Sequence, residues 1–210
     1  MTVPPDSRPD DSAWPQAQWP PPHELERKEL GDKRVTLTQF VPDDGPELFA
    51  ALDHDACWEH VAGRPATAQE YAATLAQAPA VGRWPWVVRL GGSVVGTTSY
   101  LDVNLPDARL EIGSTAYSPD VWASSVNPAC KLLLMSWAFG HGFGRVQLKT
   151  DIRNLRSQRA IAKVGATYEG VLRRYQRRSD GTIRDTVMFS VTAEEWPSVR
   201  ERLTQRLAGV

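Results

Sequence analysis

The residues from Ser124 to Pro128 have the composition of a phosphate-binding loop. Asn127 stands directly before Pro128. This pair predicts a helix start, because Asn caps free amides and Pro fits the first helical turn without losing a useful donor. A helix N-terminus presents unpaired N–H groups and a partial positive charge, and the hydroxyls of Ser124 and Ser125 would add donors. These residues therefore predict binding of a phosphorylated ligand, and the alternative is a capped helix end without a ligand.

The charged residues that come after this loop also favour binding of a phosphorylated ligand. Lys131 falls in the first turn of the predicted helix, where the helix dipole disfavours a cation unless an anion lies nearby. Between Arg145 and Arg184 there are 11 Lys or Arg and three Asp or Glu. This excess of positive charge would suit a polyanionic ligand, and a solvated basic surface would explain it equally well.

The residues do not predict a metal site or a covalent nucleophile. The histidines and cysteines show no metal-ligand spacing; they are His23, His54, His60, His141, Cys57 and Cys130. No set of Ser, Cys and His residues suggests a nucleophilic triad.

The composition predicts one globular domain. The chain has 210 residues, of which 41% are hydrophobic and 23% charged, and its net charge is −1. Such a balance predicts neither a nucleic-acid partner nor membrane binding. Two cysteines are too few for a disulfide framework, and no signal peptide or long apolar run is recognisable, so we expect a cytoplasmic protein.

Alternating strands and helices must position the loop. A strand at 110–117 precedes it, and the helix from Asn127 to Phe139 follows. Strands are also predicted at 34–40, 86–90, 93–103, 145–150, 167–174 and 183–191, and helices at 46–52, 67–78, 154–164 and after Thr192. Residues 1–32 form an extension rich in Pro and Trp, either disordered or packed along the domain, and residues 33–210 form the domain itself.

Several segments, in this order, resemble one family. They are Glu111-Ile112-Gly113, Gly144 to Asp151, Asn154-x-x-Ser157, Lys163 to Ala166 and Tyr168-Glu169-Gly170. Over residues 33–192 the set resembles the GNAT superfamily N-acetyltransferases of the RimJ/RimL type. The resemblance implies an α/β (α+β) fold with a mixed, mostly antiparallel sheet of six or seven strands and helices on both faces. It also implies a split between the Glu111 and Arg145 strands, where the pantetheine arm of CoA inserts.

The resemblance further implies which residues bind acetyl-CoA, the co-substrate. The family's pyrophosphate loop usually carries Gln or Arg, then Gly, then Gly or Ala, and here these positions fall on Trp122, Ser125 and Asn127. The residues expected to bind the cofactor are Thr115, Ala116, Tyr117, Trp122, Ala123, Ser124, Ser125, Val126, Asn127, Lys131, Asn154, Ser157 and Arg159.

Two residues carry the catalytic roles that the resemblance implies. Glu111 is the candidate base, and the alternative is a carboxylate paired with Arg109 or another cation. Ser157 would position the departing thiolate or donate a hydrogen bond to it, and the alternative is a helix cap. Strand alternation predicts that Glu111, Gly113 and Thr115 share one face. Backbone amides around 115–117 would hold the thioester oxygen.

The predicted function is acetyl-CoA-dependent N-acetylation of a primary amine on a protein or small molecule. The acetyl group would pass directly, without an acyl-enzyme, as the family implies. The alternative is a catalytically inactive GNAT-like domain that senses acyl-CoA or binds a partner. The sequence does not identify the acceptor, and a homodimer remains open.

Overall fold

The computed structural model describes residues 16–28, 34–61, 63–178 and 180–208. The strands are β1 Glu24–Lys28, β2 Arg34–Gln39, β3 Arg83–Leu90, β4 Ser93–Asn104, β5 Arg109–Tyr117, β6 Arg145–Asp151, β7 Thr167–Arg177 and β8 Ile183–Thr192. The helices are α1 Gly45–Leu52, α2 Asp55–Trp58, α3 Ala68–Gln77, α4 Val126–Gly140, α5 Leu155–Val164 and α6 Trp196–Ala208.

The described strands form one sheet in the order β1-β2-β3-β4-β5-β6-β8-β7. All neighbouring strands are antiparallel except β5 and β6, which are parallel. A parallel pair needs a crossover connection, and α4 supplies it between these two strands. The predicted mixed, mostly antiparallel sheet is confirmed, although it has eight strands rather than six or seven.

The additional strand, β1, lies in the segment that the sequence assigned to the extension. The sequence predicted the first strand at Arg34, whereas β1 pairs with β2 from Glu24 to Lys28. Before β1, the half-buried Trp19 packs edge-on against Trp84, with ring centroids 4.8 Å apart, and also contacts Tyr100, Trp137 and Phe143. The described part of the extension is therefore packed on the domain, while Trp14 lies outside the described residues.

Helices cover the sheet on both faces, with one apolar cluster on each side. The larger cluster joins α4, α5 and α6 to the inward side chains of the strands, including Leu110 and Ile112 of β5. The smaller cluster joins α1, α2 and α3 to Val87 of β3 and also includes Ala116 and Trp122. Apolar burial on both faces holds the middle of the sheet between two helical layers.

The start of α4 differs from the prediction by one residue. The helix begins at Val126 with Ser125 before it, so Asn127 lies in its first turn and is not the cap. The cap residue, Ser125, makes no side-chain hydrogen bond to the helix, and the Val126 amide donates instead to Ser124 Oγ at 3.2 Å. Pro128 is still tolerated, because the first four amides of a helix have no partner within it. The Asn127-Pro128 pair therefore marks the first turn of the helix rather than its cap.

Candidate active site

The sheet is split where β5 and β6 part. The two strands pair only over three residues, from Arg109↔Arg145 to Glu111↔Gln147. Beyond Glu111, β5 continues to Tyr117 with β4 on one side and no described strand on the other. Its backbone groups on the open side are therefore free to bind a ligand in an extended conformation.

A β-bulge changes the direction of the side chains along this open edge. The register of β5 against β4 shifts between Thr97 and Ser99, and Ser114 has a left-handed φ of 46°. A bulge adds one residue and reverses the alternation after it. Thr115 consequently faces α4, where its Oγ1 receives a hydrogen bond from Lys131 Nζ at 3.3 Å. The prediction that Thr115 shares a face with Glu111 is wrong, because strand alternation alone does not reveal a bulge.

Glu111 is buried at the base of the split. It is 7% exposed, and its Oε2 lies 2.6 Å from Nζ of Lys149 on β6. Burial raises the pKa of Glu111, while Lys149 opposes that shift. The Glu111 carboxylate lies directly over Gly113, since a Cβ added there would come within 2.7 Å of Glu111 Oε1. The absence of a side chain at 113 is what leaves room for the carboxylate.

Lys149 belongs to a wider hydrogen-bonding group. Burial lowers the pKa of this lysine, but hydrogen bonds to Glu111 and to the Tyr175 hydroxyl raise it overall, so the ammonium form is retained. Arg109, the partner that the sequence considered for Glu111, instead binds Asp102 at 2.5 Å. Gln147 also donates to Asp102, at 3.0 Å.

An open groove of about 440 Å³ leads to this carboxylate. Its lining contains Trp84, Leu101, Asp102, Glu111 and Lys149. The groove combines an aromatic wall with two carboxylates and one ammonium group. A molecule that carries an amine could therefore approach Glu111 from this side.

The N-terminus of α4 retains free donors. Within the described residues, the amides of Ser125 and Asn127 donate to no other group, whereas the Val126 amide is taken by Ser124. Ser124 Oγ itself donates to the Val121 carbonyl at 2.6 Å, so it offers no proton to a ligand in this conformation. The prediction that both serine hydroxyls add donors therefore applies to Ser125 alone. Ala123, with a left-handed φ of 61°, adopts the backbone shape that glycine usually supplies in such loops.

Trp122 anchors this loop through its side chain. Its Nε1 donates to the Tyr117 carbonyl at 2.9 Å, and the guanidinium of Arg156 lies 3.7 Å from its ring centroid. Arg156 lies in the first turn of α5, so this cation–π contact joins the loop before α4 to the helix after β6. A positive charge is thereby held beside the loop that precedes α4.

The first turn of α5 is set by its cap. Asn154 Oδ1 accepts the Ser157 amide at 2.9 Å, so Asn154 caps this helix. Just before it, Asp151 at the end of β6 binds Arg178 through two hydrogen bonds, of 2.5 and 2.9 Å. The Asp151 carboxylate also accepts the Arg153 amide. The end of β6 is thus fixed to the β7–β8 hairpin and to the turn before α5, and Asn154 holds Ser157 in the first turn of that helix.

A sequence model of the acetyltransferase (GNAT) domain matches residues 34–167, which is more than half of the chain. The chain belongs to the GNAT acetyltransferase family. The GNAT resemblance and the acetyltransferase activity that it implied are thereby confirmed. No curated protein matches the chain by sequence.

Solved structures show the same GNAT fold. A protein of T. thermophilus named as an acetyltransferase is 34% identical with a TM-score of 0.81, covering 90% of this chain and 100% of its own. A GCN5-related N-acetyltransferase from Brucella melitensis is 25% identical with a TM-score of 0.84, over 92% of this chain and 89% of its own. RimJ from Mycobacterium smegmatis, in complex with CoA-disulfide, is 23% identical with a TM-score of 0.73, over 87% and 94%. No helix in the described ranges is long and apolar enough to cross a membrane.

Three other residues were expected to bind the cofactor of this GNAT enzyme, and they differ in burial: Tyr117, Lys131 and Arg159. Tyr117 packs its side chain in the larger core cluster, while its carbonyl receives Trp122 and Cys57. Lys131 lies in the second turn of α4, not the first, and its ammonium is buried against β5 rather than exposed at the helix end. Arg159 is exposed on α5. Arg159 alone among these three presents its side chain to solvent.

Sequence reasoning missed Lys149 and Arg156. The signal for Lys149 was present, because alternation along β6 places it on the face of Gln147, the residue that pairs with Glu111. The contact between Arg156 and Trp122 had no sequence signal, since the two residues meet only through the packing of α5 beside the loop.

Proposed function

We propose that this GNAT enzyme transfers the acetyl group of acetyl-CoA to a primary amine, with Glu111 as the base. The observation that carries the proposal is the buried Glu111 at the point where β5 and β6 part. Acetyl-CoA supplies a thioester carbonyl that an amine can attack and a thiol as leaving group. Every other part of the reaction is assigned to residues of this chain.

The residues present fit acetyl-CoA. The amides of Ser125 and Asn127 can bind phosphate oxygens at the N-terminus of α4, where the helix dipole favours an anion. The open edge of β5 can pair with the amide groups of an extended pantetheine arm. Arg156 and Arg159, both on α5, add positive charge on the adjacent helix. The loop is therefore a serine and asparagine variant of a phosphate cradle, with fewer amide donors than a glycine-rich one.

Glu111 takes a proton from the attacking amine, directly or through one water. A lysine amine has a reference pKa of about 10.4 and is mostly protonated at neutral pH, so removing its proton is part of the work of catalysis. Burial raises the pKa of Glu111 and makes it a stronger base than an exposed carboxylate. Lys149, at 2.6 Å, keeps the carboxylate ionised before the amine binds.

Ser157 and the β5 amides act on the thioester. Free amides along the open edge of β5 receive the negative charge that develops on the thioester oxygen. Ser157, held in the first turn of α5 by Asn154, donates a hydrogen bond to the departing sulfur. A hydroxyl is a weak acid, so this role is one of positioning rather than full proton transfer.

The acceptor is an amine of a protein or a small molecule. The open groove of about 440 Å³ admits an amine to Glu111 past Trp84 and Leu101. Comparable structures include RimJ, and at 23% identity that likeness concerns the fold. The arrangement of an ionised base and an open acceptor groove supports an active enzyme rather than an acyl-CoA sensor.

The test compares binding with turnover. The purified protein is titrated with acetyl-CoA by calorimetry, and release of free CoA is then followed with a panel of peptide α-amines, lysine side chains and small amines. Glu111→Gln should lower kcat about 100-fold or more while acetyl-CoA binding is retained, since it removes only the base. Glu201→Gln, at an exposed position of α6, is the matched control and should leave kcat unchanged. Absence of acetyl-CoA binding, or equal kcat for Glu111→Gln and wild type, would refute the proposal.

A further inference from the structure

Lys131 is a buried ammonium group for which the mechanism above has no role. It is 4% exposed, and its one described hydrogen bond is to Thr115 Oγ1 at 3.3 Å. None of the ion pairs formed by described residues includes Lys131, in contrast to Lys149, which lies 2.6 Å from Glu111. Burial lowers the pKa of Lys131 to about 8.

Such a residue is costly to keep in a packed helix. An ammonium group loses much of its hydration on burial, and one long hydrogen bond replaces little of it. The neighbouring helix residues, Cys130 and Leu132, are buried in the main apolar cluster, where Met would fit the same space at lower cost. Core packing therefore does not explain a lysine at this position.

The hydrogen-bond partner of Lys131 is Thr115, which lies on the part of β5 whose amides would bind the thioester oxygen. Thr115 immediately follows the bulge residue Ser114 and belongs to the open edge of the strand. Thr115 Oγ1 also shares a hydrogen bond of 2.7 Å with Thr98 Oγ1 on β4. Lys131, Thr115 and Thr98 thus form a buried chain that fixes the side chain just after the bulge, on the α4 side of the sheet.

We propose that Lys131 is a positioning residue for acetyl transfer, holding Thr115 and the bulge so that the β5 amides meet the thioester oxygen. This inference rests on the proposed function. The charge of Lys131 also lies on the α4 side of the same strand, where it favours negative charge developing at the open edge. The residue acts through Thr115 and does not itself contact substrate.

The charged form of Lys131 is the one that acts. The group that influences its titration is Cys130 on its own helix, and Tyr117 on β5 in turn contacts Cys130. Burial holds the pKa of Tyr117 well above its ordinary value, so that phenol stays neutral near pH 8. As pH rises through about 8, Lys131 loses its proton, and kcat should fall.

The experiment measures kcat, KM and stability for Lys131→Met, Lys131→Arg and Thr115→Val. Lys131→Met should lower kcat 10-fold or more and leave KM for acetyl-CoA within about twofold. It should also abolish the fall of kcat above pH 8. The variant should unfold at the same urea concentration as the wild type or at a higher one. Lys131→Arg keeps the charge, so it should recover most of kcat and move the descending limb to higher pH. Thr115→Val should lower kcat as Lys131→Met does and provides the test if that variant fails to fold. Lys163→Met, at an exposed position of α5, is the matched control and should match the wild type.

The outcomes separate this inference from the proposed function. If the wild type transfers no acetyl group to any amine, both the proposed function and the role of Lys131 are refuted. If the wild type is active and Lys131→Met keeps its kcat and its descending limb, only the role of Lys131 is refuted. The role of Lys131 is also refuted if Lys131→Met is destabilised enough to explain its loss of activity and Lys131→Arg does not restore that activity.

Discussion

The ion pair between Asp151 and Arg178 should stabilise the protein in a strongly pH-dependent manner. Asp151 ends β6, is 3% exposed and binds Arg178 in a bidentate arrangement. Arg178 follows β7 and also donates to the Ile183 carbonyl at 2.7 Å. Asp151→Asn preserves the shape of the side chain and removes its charge, so the variant isolates the electrostatic contribution of this contact.

The size of the effect follows from the pKa of Asp151. The hydrogen bonds from Arg178 lower this pKa from 3.8 to about 2, with burial opposing the shift. At about 1.36 kcal/mol for each pH unit, the difference corresponds to about 2.4 kcal/mol. Because the folded-state pKa is depressed, the stabilisation is fully present above about pH 4 and is lost as pH falls through about 2. Asp151→Asn should therefore lower the free energy of unfolding by about 2 kcal/mol at pH 7 and by much less at pH 2.

Urea unfolding at pH 7, 5, 3.5 and 2.5 measures this difference directly. Other carboxylates titrate over the same range in both proteins, so the difference between wild type and variant reports on Asp151. Asp43→Asn, at an exposed position, is the matched control and should change the free energy of unfolding by less than about 0.5 kcal/mol at every pH. A loss for Asp151→Asn that stays constant from pH 7 to pH 2.5, or that is below 0.5 kcal/mol at pH 7, would refute the reasoning.

Two further substitutions test the packing around the core and the site. Trp19→Ala removes a half-buried ring that contacts four aromatic side chains and should lower the free energy of unfolding by about 2 to 3 kcal/mol in urea; a change below 1 kcal/mol would show that the segment contributes little. Gly113→Ala places a Cβ within 2.7 Å of Glu111 Oε1 and should lower kcat at least 10-fold, with stability nearly unchanged because the displaced atom ends a flexible side chain. Wild-type kcat in Gly113→Ala would contradict the position assigned to the carboxylate.

Most elements of the fold could be predicted because each carries local signals. The predicted strands at 145–150 and 183–191 differ by one residue from β6 and β8. The helix predicted at 154–164 ends at Val164 as expected, where Gly165 follows with a left-handed φ of 98°. Periodic apolar residues and cap residues act within one turn or one strand, so they can be recognised without tertiary contacts. β1 was missed because a strand within a proline-rich segment forms only by pairing with β2.

The site was predictable in part. Glu111 was selected because the family resemblance implies a carboxylate on this strand, and the structure places it where β5 and β6 separate. Its partner was not identified, because a carboxylate can pair with any cation within reach and the choice of Lys149 depends on the register of β6. The placement of Thr115 was wrong because the bulge at Ser114 leaves no pattern in the sequence.

The sequence by itself determined most of the strands and helices and the loop before α4, and its ordered motifs carried the resemblance that implied the family and its class of reaction. These features depend on local backbone preference and on the alternation of apolar residues, which neighbouring residues decide. The tertiary structure alone decided the pairing of Glu111 with Lys149, the burial of Lys131 beneath Thr115 and the contact of Arg156 with Trp122. Those contacts join residues from different elements, and their energies depend on burial and on distances that only the packed molecule establishes.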